Sequence, residues 1–212
     1  MRRGLWMGVV LLMGILLSCS SDGEDYPSLI SDFACIATDG TGSLHTLLMD
    51  DGTTYTLSNS SDYSHYNWRG DSTYRVVCRY LPDEEHAGVA KLLAVAQTVS
   101  RYATYIDKVD TLKRDAADVQ SIWRSGNYIN LILNIKAMDK QHFLDFIEVT
   151  SPTDRHVAIV LYHDSNGDIQ GYTQQAYCSL PLAKYQGQLQ EGDTISISIA
   201  TATGEKKYDF RY

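Results

Sequence analysis

Short apolar alternations separated by turn residues run through most of this 212-residue chain. Residues 44–49 and 53–57 flank Asp50-Asp51-Gly52, where a glycine after aspartate supplies the positive φ that a tight hairpin needs. Because a period of two places the apolar side chains on one face, the pattern predicts strands and not long helices. The chain is therefore predicted to be an all-β protein.

The predicted strands fall into two groups. Residues 33–100 contain five alternations, which we expect to close a small five-stranded barrel. The last of them, 87–99, also suits a helix because it is rich in Ala and Leu, and we favour a strand because it completes the barrel. Residues 118–212 have strands and turns at the spacing of a β-sandwich. Residues 101–117 are polar and charged, and they are predicted to be a linker.

The N-terminus predicts export and lipid anchoring. Arg2 and Arg3 precede thirteen uncharged residues, 5–17, which is the pattern of a secretory signal over residues 1–18. At about 1.5 Å per residue this run is shorter than the ~30 Å hydrocarbon core, so a permanent spanning helix is disfavoured. The run ends in a segment that resembles a lipobox, in which Cys19 receives lipid and becomes the new N-terminus. We therefore expect a lipoprotein held to the membrane through Cys19.

The mature chain is predicted to be acidic. Residues 19–32 are rich in Ser, Asp and Glu, and predict a flexible tether. Loss of Arg2 and Arg3 with the signal leaves 16 basic against 26 acidic side chains, a formal charge of −10. The barrel region, 33–100, carries eight acidic and four basic side chains. Because phosphates require clustered Lys or Arg, we expect no nucleic-acid partner.

Seven features form a recognisable pattern: the lipobox at Cys19, the turn at 50–52, Trp123, and residues 126–131, 163–168, 179–182 and 208–212. With them the chain resembles the NigD-like lipoproteins of Bacteroidetes over nearly its whole length. The resemblance implies an N-terminal OB-like barrel followed by a C-terminal β-sandwich. It also suggests a link to bacteriocin production or immunity, and it brings no catalytic residues with it.

A second resemblance concerns the location of the protein. The acidic, Ser-rich stretch after Cys19 is similar to the export tag of some Bacteroidetes lipoproteins. We therefore expect an outer-membrane lipoprotein of the cell envelope. Display at the cell surface and a position on the periplasm-facing leaflet both stay open.

An aromatic cluster is the leading candidate for ligand binding. It consists of Tyr63, His65, Tyr66 and Trp68, which lie among polar residues. Exposed rings of this kind stack on sugars or serve as interface anchors. The alternative is that the rings pack beneath their own loop.

Alternating oxygen ligands at Asp164, Asn166 and Asp168 form a candidate calcium loop. An EF-type loop requires Gly at its sixth position and Glu at its twelfth, and Ile169 and Gln175 occupy those positions here. The Asn-Gly pair at the centre instead predicts a hairpin turn, and we expect no metal.

Two covalent features are predicted from short patterns. Cys35 and Cys78 either form a disulfide in the oxidising envelope or are two small buried residues, while Cys178 is predicted to be a buried inert thiol. Asp110-Thr111-Leu112 resembles the acceptor of the Bacteroidetes O-glycosylation system, which makes Thr111 a candidate glycosylation site.

No motif of a known catalytic class occurs in the sequence. There is no nucleophile elbow, no zinc-protease helix and no phosphate-binding glycine loop, and the six histidines are scattered. We therefore expect no cofactor and a non-enzymatic envelope lipoprotein that binds a protein or glycan. The alternative is an immunity factor that sequesters a toxin, and the third possibility is an envelope hydrolase whose triad assembles only in space.

Overall fold

The computed structural model describes residues 29–60, 63, 68–149 and 155–212. The predicted signal peptide and Cys19, the predicted lipidation site, lie outside these residues. The strands are β1 (Ile30–Thr38), β2 (Leu44–Met49), β3 (Thr54–Leu57), β4 (Thr73–Pro82), β5 (Val89–Gln97), β6 (Thr104–Tyr105), β7 (Asp118–Ser125), β8 (Tyr128–Ala137), β9 (Phe143–Glu148), β10 (His156–Asp164), β11 (Tyr172–Pro181), β12 (Thr194–Thr201) and β13 (Gly204–Arg211). Two 3-10 turns, Ile106–Lys108 and Ala183–Tyr185, complete the described elements. None of the helices in this part of the chain has the length and apolar character that a membrane crossing requires.

The first five strands form a closed barrel in the order β1-β2-β3-β5-β4. This confirms the OB-like barrel, and β5 confirms the strand predicted at 87–99. β1 pairs antiparallel with both β2 and β4, and β3 pairs parallel with β5. Alternate side chains such as Ile36, Leu47 and Val76 are fully buried inside. Each such side chain contributes about 1.5–3 kcal/mol to stability.

The remaining strands form the predicted sandwich. A five-stranded sheet, β13-β12-β10-β9-β6, packs on a three-stranded sheet, β11-β8-β7. The β7–β8 and β12–β13 hairpins pair as their turn sequences predict. The core between the sheets includes the fully buried side chains of Leu131, Phe146, Ile159, Leu180 and Ile197. Their alternation along each strand is the physical basis of the two layers.

The junction between the two units differs from the prediction. Ile30 to Asp32, assigned to the tether, begin β1, and Ile30 pairs with Tyr80. The predicted linker, 101–117, is part of the sandwich: Thr104 pairs with Ile147, and two buried alanines of the segment join the sandwich core. The segment looks polar in sequence because so few of its side chains face inward.

The turn around Asn166-Gly167 is present, but it does not close a hairpin. Both residues are left-handed, with φ of 56° and 63°, and the Asp168 N–H donates to the Ser165 carbonyl at 3.0 Å. The hairpin prediction is wrong, because β10 belongs to the five-stranded sheet and β11 to the other. The turn carries the chain between sheets, since β11 pairs along its whole length with β8.

The cysteines do not form the disulfide that was one of two alternatives. Cys35 and Cys78 are free thiols, because Cys78 points into the barrel core and Cys35 points outward. Their register also separates them, since Cys35 lies opposite Arg75 and Cys78 lies opposite Asp32. Burial raises the pKa of the Cys78 thiol to about 12. Cys178 is fully buried in the sandwich core, and burial raises its pKa to about 12 as well, which fits an inert thiol.

Candidate functional site

A buried guanidinium joins the barrel to the sandwich. Arg75 of β4 makes a bidentate contact with Asp50, at 2.5 and 2.8 Å, and both side chains are at most 7% exposed. From the sandwich, Asn130 Oδ1 accepts a hydrogen bond from Arg75 at 3.0 Å, and Ser179 Oγ accepts another at 3.0 Å. The guanidinium carbon also lies 3.7 Å from the centre of the Tyr128 ring. We call these five residues the interdomain lock.

Strand geometry explains why these side chains meet. In β4 the side chains on either side of the inward Val76 point away from the barrel core, so Arg75 faces the sandwich. Asn130 and Ser179 lie directly opposite each other on β8 and β11, and Ser179 Oγ donates to Asn130 Oδ1 at 2.6 Å. Asn130 Nδ2 in turn donates to Asp50 at 3.2 Å. The charge pair is therefore enclosed by hydrogen-bonding partners from both domains.

Backbone and aromatic contacts extend the lock along the interface. The Val99 N–H donates to the Tyr177 carbonyl, and the Ser179 N–H donates to the Val99 carbonyl, both at 2.9 Å. The Phe33 ring meets the edge of Trp123 at 5.4 Å between ring centres. Gly126 has φ of 51°, and a Cβ there would lie 2.5 Å from the Asp50 carbonyl oxygen, so only glycine fits this approach. The two domains are thus tied by several independent contacts.

A wide cleft lies where the segment that follows β5 crosses the sandwich. Its volume is about 770 Å³, and it is bounded by residues 98–113, by residues 141–147 and by Tyr162. Arg101, Lys108 and Lys113 supply positive charge, and Asp110 and Asp145 supply negative charge. The Phe143 ring is 47% exposed and lines it too. This mixture of aromatic and charged groups suits a polar ligand with both donors and acceptors.

A chain of hydrogen bonds lies behind one wall of the cleft. His142, which lines it, has its side chain only 5% exposed, and His163 behind it is 2% exposed. His142 Nδ1 is 2.9 Å from His163 Nε2, and His142 Nε2 is 3.2 Å from Asp168. His163 Nδ1 is 3.1 Å from the Asp115 carbonyl oxygen. We call these four residues the histidine relay.

The surroundings of the relay shift the pKa of two of its groups. Both ends of the relay are acceptors, the Asp115 carbonyl oxygen and the Asp168 carboxylate. Burial, together with repulsion from His142, lowers the pKa of His163. Hydrogen bonds led by the Met138 N–H hold the pKa of Asp168 well below its usual value.

We expect the relay to make stability depend on pH. Because His163 has a lowered pKa in the folded state, the unfolded chain binds a proton that the folded chain does not. Stability is therefore full above about pH 6.5 and falls below it, by up to about 1.4 kcal/mol per pH unit. Urea unfolding between pH 5 and 8 measures the slope. His163→Asn should flatten the curve, and replacing His86, which is exposed, with Asn should leave it unchanged; equal slopes in the wild type and His163→Asn would contradict the assignment.

The predicted aromatic cluster is only partly within the described residues. His65 and Tyr66 lie outside them. Tyr63 and Trp68 pack against the barrel core, where Tyr63 donates to the Leu92 carbonyl at 3.1 Å and the Trp68 ring meets Tyr74 at 4.7 Å. For these two rings the packing matches the alternative, in which they lie beneath their own loop.

The candidate calcium loop is occupied by hydrogen bonds within the protein. Asp168 accepts from the N–H groups of Met138 and Ile169 as well as from His142, and Asp164 accepts from the Asn166 N–H. Among residues 29–60, 63, 68–149 and 155–212, no three His, Cys, Asp or Glu side chains are grouped as metal ligands. These donors take up the oxygens that a calcium ion would need.

The candidate glycosylation site lies at the cleft. Thr111 is exposed, and it lines the cleft with its neighbour Asp110. A glycan there would stand at the cleft mouth, next to the segment that covers the sandwich. Glycosylation of Thr111 stays a prediction.

Comparison with known proteins adds the family. A model of the NigD-like C-terminal beta sandwich domain matches residues 102–212. A NigD-like immunity protein from Bacteroides caccae is 29% identical, with a TM-score of 0.70 over 88% of this chain and 98% of that one. No curated protein matches.

Two more distant structures share the fold. A protein from Parabacteroides distasonis described as toxin-related is 15% identical, with a TM-score of 0.69 over 87% of this chain and 93% of that one. A protein from Bacteroides fragilis described as a lipoprotein is 14% identical, with a TM-score of 0.59 over 88% and 98%. Because the family model spans more than half of the sequence, the chain belongs to the NigD-like family.

Proposed function

We propose that the protein is a lipid-anchored, non-enzymatic binding module of the cell envelope. Lipid on Cys19 holds it to the outer membrane, the acidic segment up to residue 28 gives it reach, and the two locked domains present the cleft to a protein or glycan. The observation that carries the proposal is the cleft itself. It combines about 770 Å³ of volume with an exposed ring and charges of both signs.

Backbone pairing supports this use of the cleft. One wall begins at Thr98, directly after the last barrel strand, and the opposite wall is β9 of the sandwich. Because Val99 is hydrogen-bonded to β11 and Thr104 pairs with Ile147 of β9, the two walls keep one spacing. A preformed cleft binds without the entropic cost of ordering its walls.

Site-specific photo-crosslinking in the native cells tests the binding proposal. A photoreactive phenylalanine analogue replaces Phe143 in the cleft, and in a control strain it replaces Leu93, a barrel residue with a similar exposure of 42%. We expect a discrete crosslinked product from position 143 and none from position 93. Identical product patterns from the two positions, or none from either, would remove the cleft as the binding site.

Protease treatment of intact cells tests the location. Loss of the β domains from intact cells would support surface display and direct the search to extracellular partners. Protection in intact cells with cleavage after lysis would support the periplasm-facing leaflet. Recovery of the mature protein in the soluble fraction without lipid would overturn the anchoring proposal.

A second function is immunity against a secreted toxin, and a specific observation favours it. The Bacteroides caccae protein that matches over 88% of this chain is described as an immunity protein. In this case the cleft ligand would be the toxin. Deletion of the gene should make the cells sensitive to bacteriocin from their own or neighbouring strains, and unchanged sensitivity would remove this function.

A further inference from the structure

β13 is the outermost strand of the five-stranded sheet, and one of its edges is free. It pairs with β12 along its entire length, from Arg211 opposite Thr194 to Gly204 opposite Thr201. Within the described residues no strand pairs with its other side. None of its residues is buried. A strand of eight residues with one open edge is a template for pairing with another chain.

Hydrogen bonds at the end of β13 show which backbone groups point outward. The Tyr212 N–H donates to the Asp193 carbonyl, so the backbone N–H and C=O groups of the even-numbered residues point toward β12. The Arg211 carbonyl instead accepts a hydrogen bond from the side chain of Arg124, which reaches it from β7. The N–H and C=O groups of Glu205, Lys207 and Asp209 therefore point away from the sheet. Six backbone groups are thus available in one row.

The side chains along this row alternate in charge. Glu205, Lys207, Asp209 and Arg211 lie on the outer face, since Tyr208 and Phe210 between them pack on the sandwich core. The order negative, positive, negative, positive is complementary to itself when a second copy runs antiparallel. With Tyr208 opposite Tyr208, Lys207 faces Asp209 and Glu205 faces Arg211, and all four pairs are of opposite charge.

We propose that β13 pairs with β13 of a second copy of this chain, antiparallel about a two-fold axis at Tyr208, and that two five-stranded sheets join into one of ten strands. In this register the odd-numbered residues exchange backbone hydrogen bonds directly. A shift by two residues would place Lys207 opposite itself and Glu205 opposite Asp209. The charges therefore select both the partner and the register.

The alternating charges on β13 favour pairing with a second copy over mere protection of the edge strand against other chains. Lysines on an edge strand commonly block pairing with other chains. Charges of one sign along an edge repel a second copy, whereas charges of alternating sign attract a copy that runs antiparallel in the matching register. Within the chain, Asp209 contacts Lys207 at 3.6 Å and Ser196, and Glu205 contacts Arg114 at 2.6 Å. The side chains of Glu205, Lys207 and Asp209 are still 52%, 55% and 60% exposed, so a second copy can reach them. The cleft is at the other side of the sheet, next to β9, so the dimer leaves it free.

The mass of the full chain, extracted in detergent and measured by native mass spectrometry, tests the proposal. We expect a dimer. Lys207→Asp converts two of the four attractive pairs to repulsive ones, and should raise the dissociation constant at least about tenfold. The double variant Lys207→Asp/Asp209→Lys restores every pair and should restore the dimer. Lys206→Asp is the matched control, because Lys206 lies on the other face of the strand, opposite Phe210 of the second copy. This variant should remain dimeric.

A backbone variant tests the strand pairing itself. Lys207→Pro removes an outward N–H and no bond to β12, so the monomer should keep its unfolding midpoint and lose the dimer. A monomer at all concentrations, a dimer that persists in both Lys207→Asp and Lys207→Pro, or capture of a different protein at this edge would each overturn the proposal. The outcome does not depend on the cleft.

Discussion

Arg75→Met is expected to lower the free energy of unfolding by about 3–5 kcal/mol. The substitution keeps most of the apolar stem of the side chain, but it leaves the Asp50 carboxylate enclosed between the domains without its cation. Asp50 has a side-chain exposure of only 7%, so water cannot replace the guanidinium. Asn130 Oδ1 and Ser179 Oγ lose a donor in the same step.

Denaturant unfolding of the two variants Arg75→Met and Arg79→Met measures the effect. Arg79 lies on the same strand four residues away and is exposed, so its replacement should change stability by less than about 0.5 kcal/mol. Adding Asp50→Asn to Arg75→Met should recover part of the loss, because the uncompensated charge is removed. Equal stability of the two single variants would show that the pair contributes nothing to the interface.

The barrel and sandwich were predictable because their signals are local. Hairpins at Gly52 and Gly126 and the period of two along β4 and β8 need no knowledge of distant residues. The linker and the β10–β11 connection were not predictable in this way. β6 has only two residues, and β11 pairs with β8 and not with β10, the strand that precedes it in sequence. The packing of the two sheets determines which strands pair, and the turn that joins two consecutive strands does not.

The lock and the relay were missed for a related reason. Alternation along β4 shows that Arg75 points out of the barrel, but its partner Ser179 is 104 residues away. His142 and His163 look like two of six scattered histidines until β9 and β10 pair. In sequence such residues have no spacing that marks them. The one available signal is a charged or polar residue within an otherwise apolar strand, as at Asn130 and Ser179.

Lys184→Met is expected to destabilise the protein by about 3 kcal/mol or more, since it isolates a second buried carboxylate. The Glu148 side chain is fully enclosed, and its Oε2 accepts from Lys184 at 2.6 Å and from the Tyr185 hydroxyl at 3.0 Å. Its Oε1 has no hydrogen-bond partner among the described residues. Burial, together with this carboxylate, raises the pKa of Tyr185, so the hydroxyl stays a donor.

Lys184 also ties the chain between the domains to the sandwich, because it donates to the Ala103 carbonyl at 2.6 Å and lies 4.0 Å from the centre of the Tyr105 ring. Urea unfolding should show most of the loss recovered in Lys184→Met/Glu148→Gln, where no charge remains to be paired. Lys136→Met is the control, because Lys136 is exposed and makes one hydrogen bond to Thr173. If the double variant were no more stable than Lys184→Met, the contact with Ala103 would be the dominant role of Lys184. The segment 101–117 would then be held to the sandwich mainly by its backbone and not by the charge of Glu148.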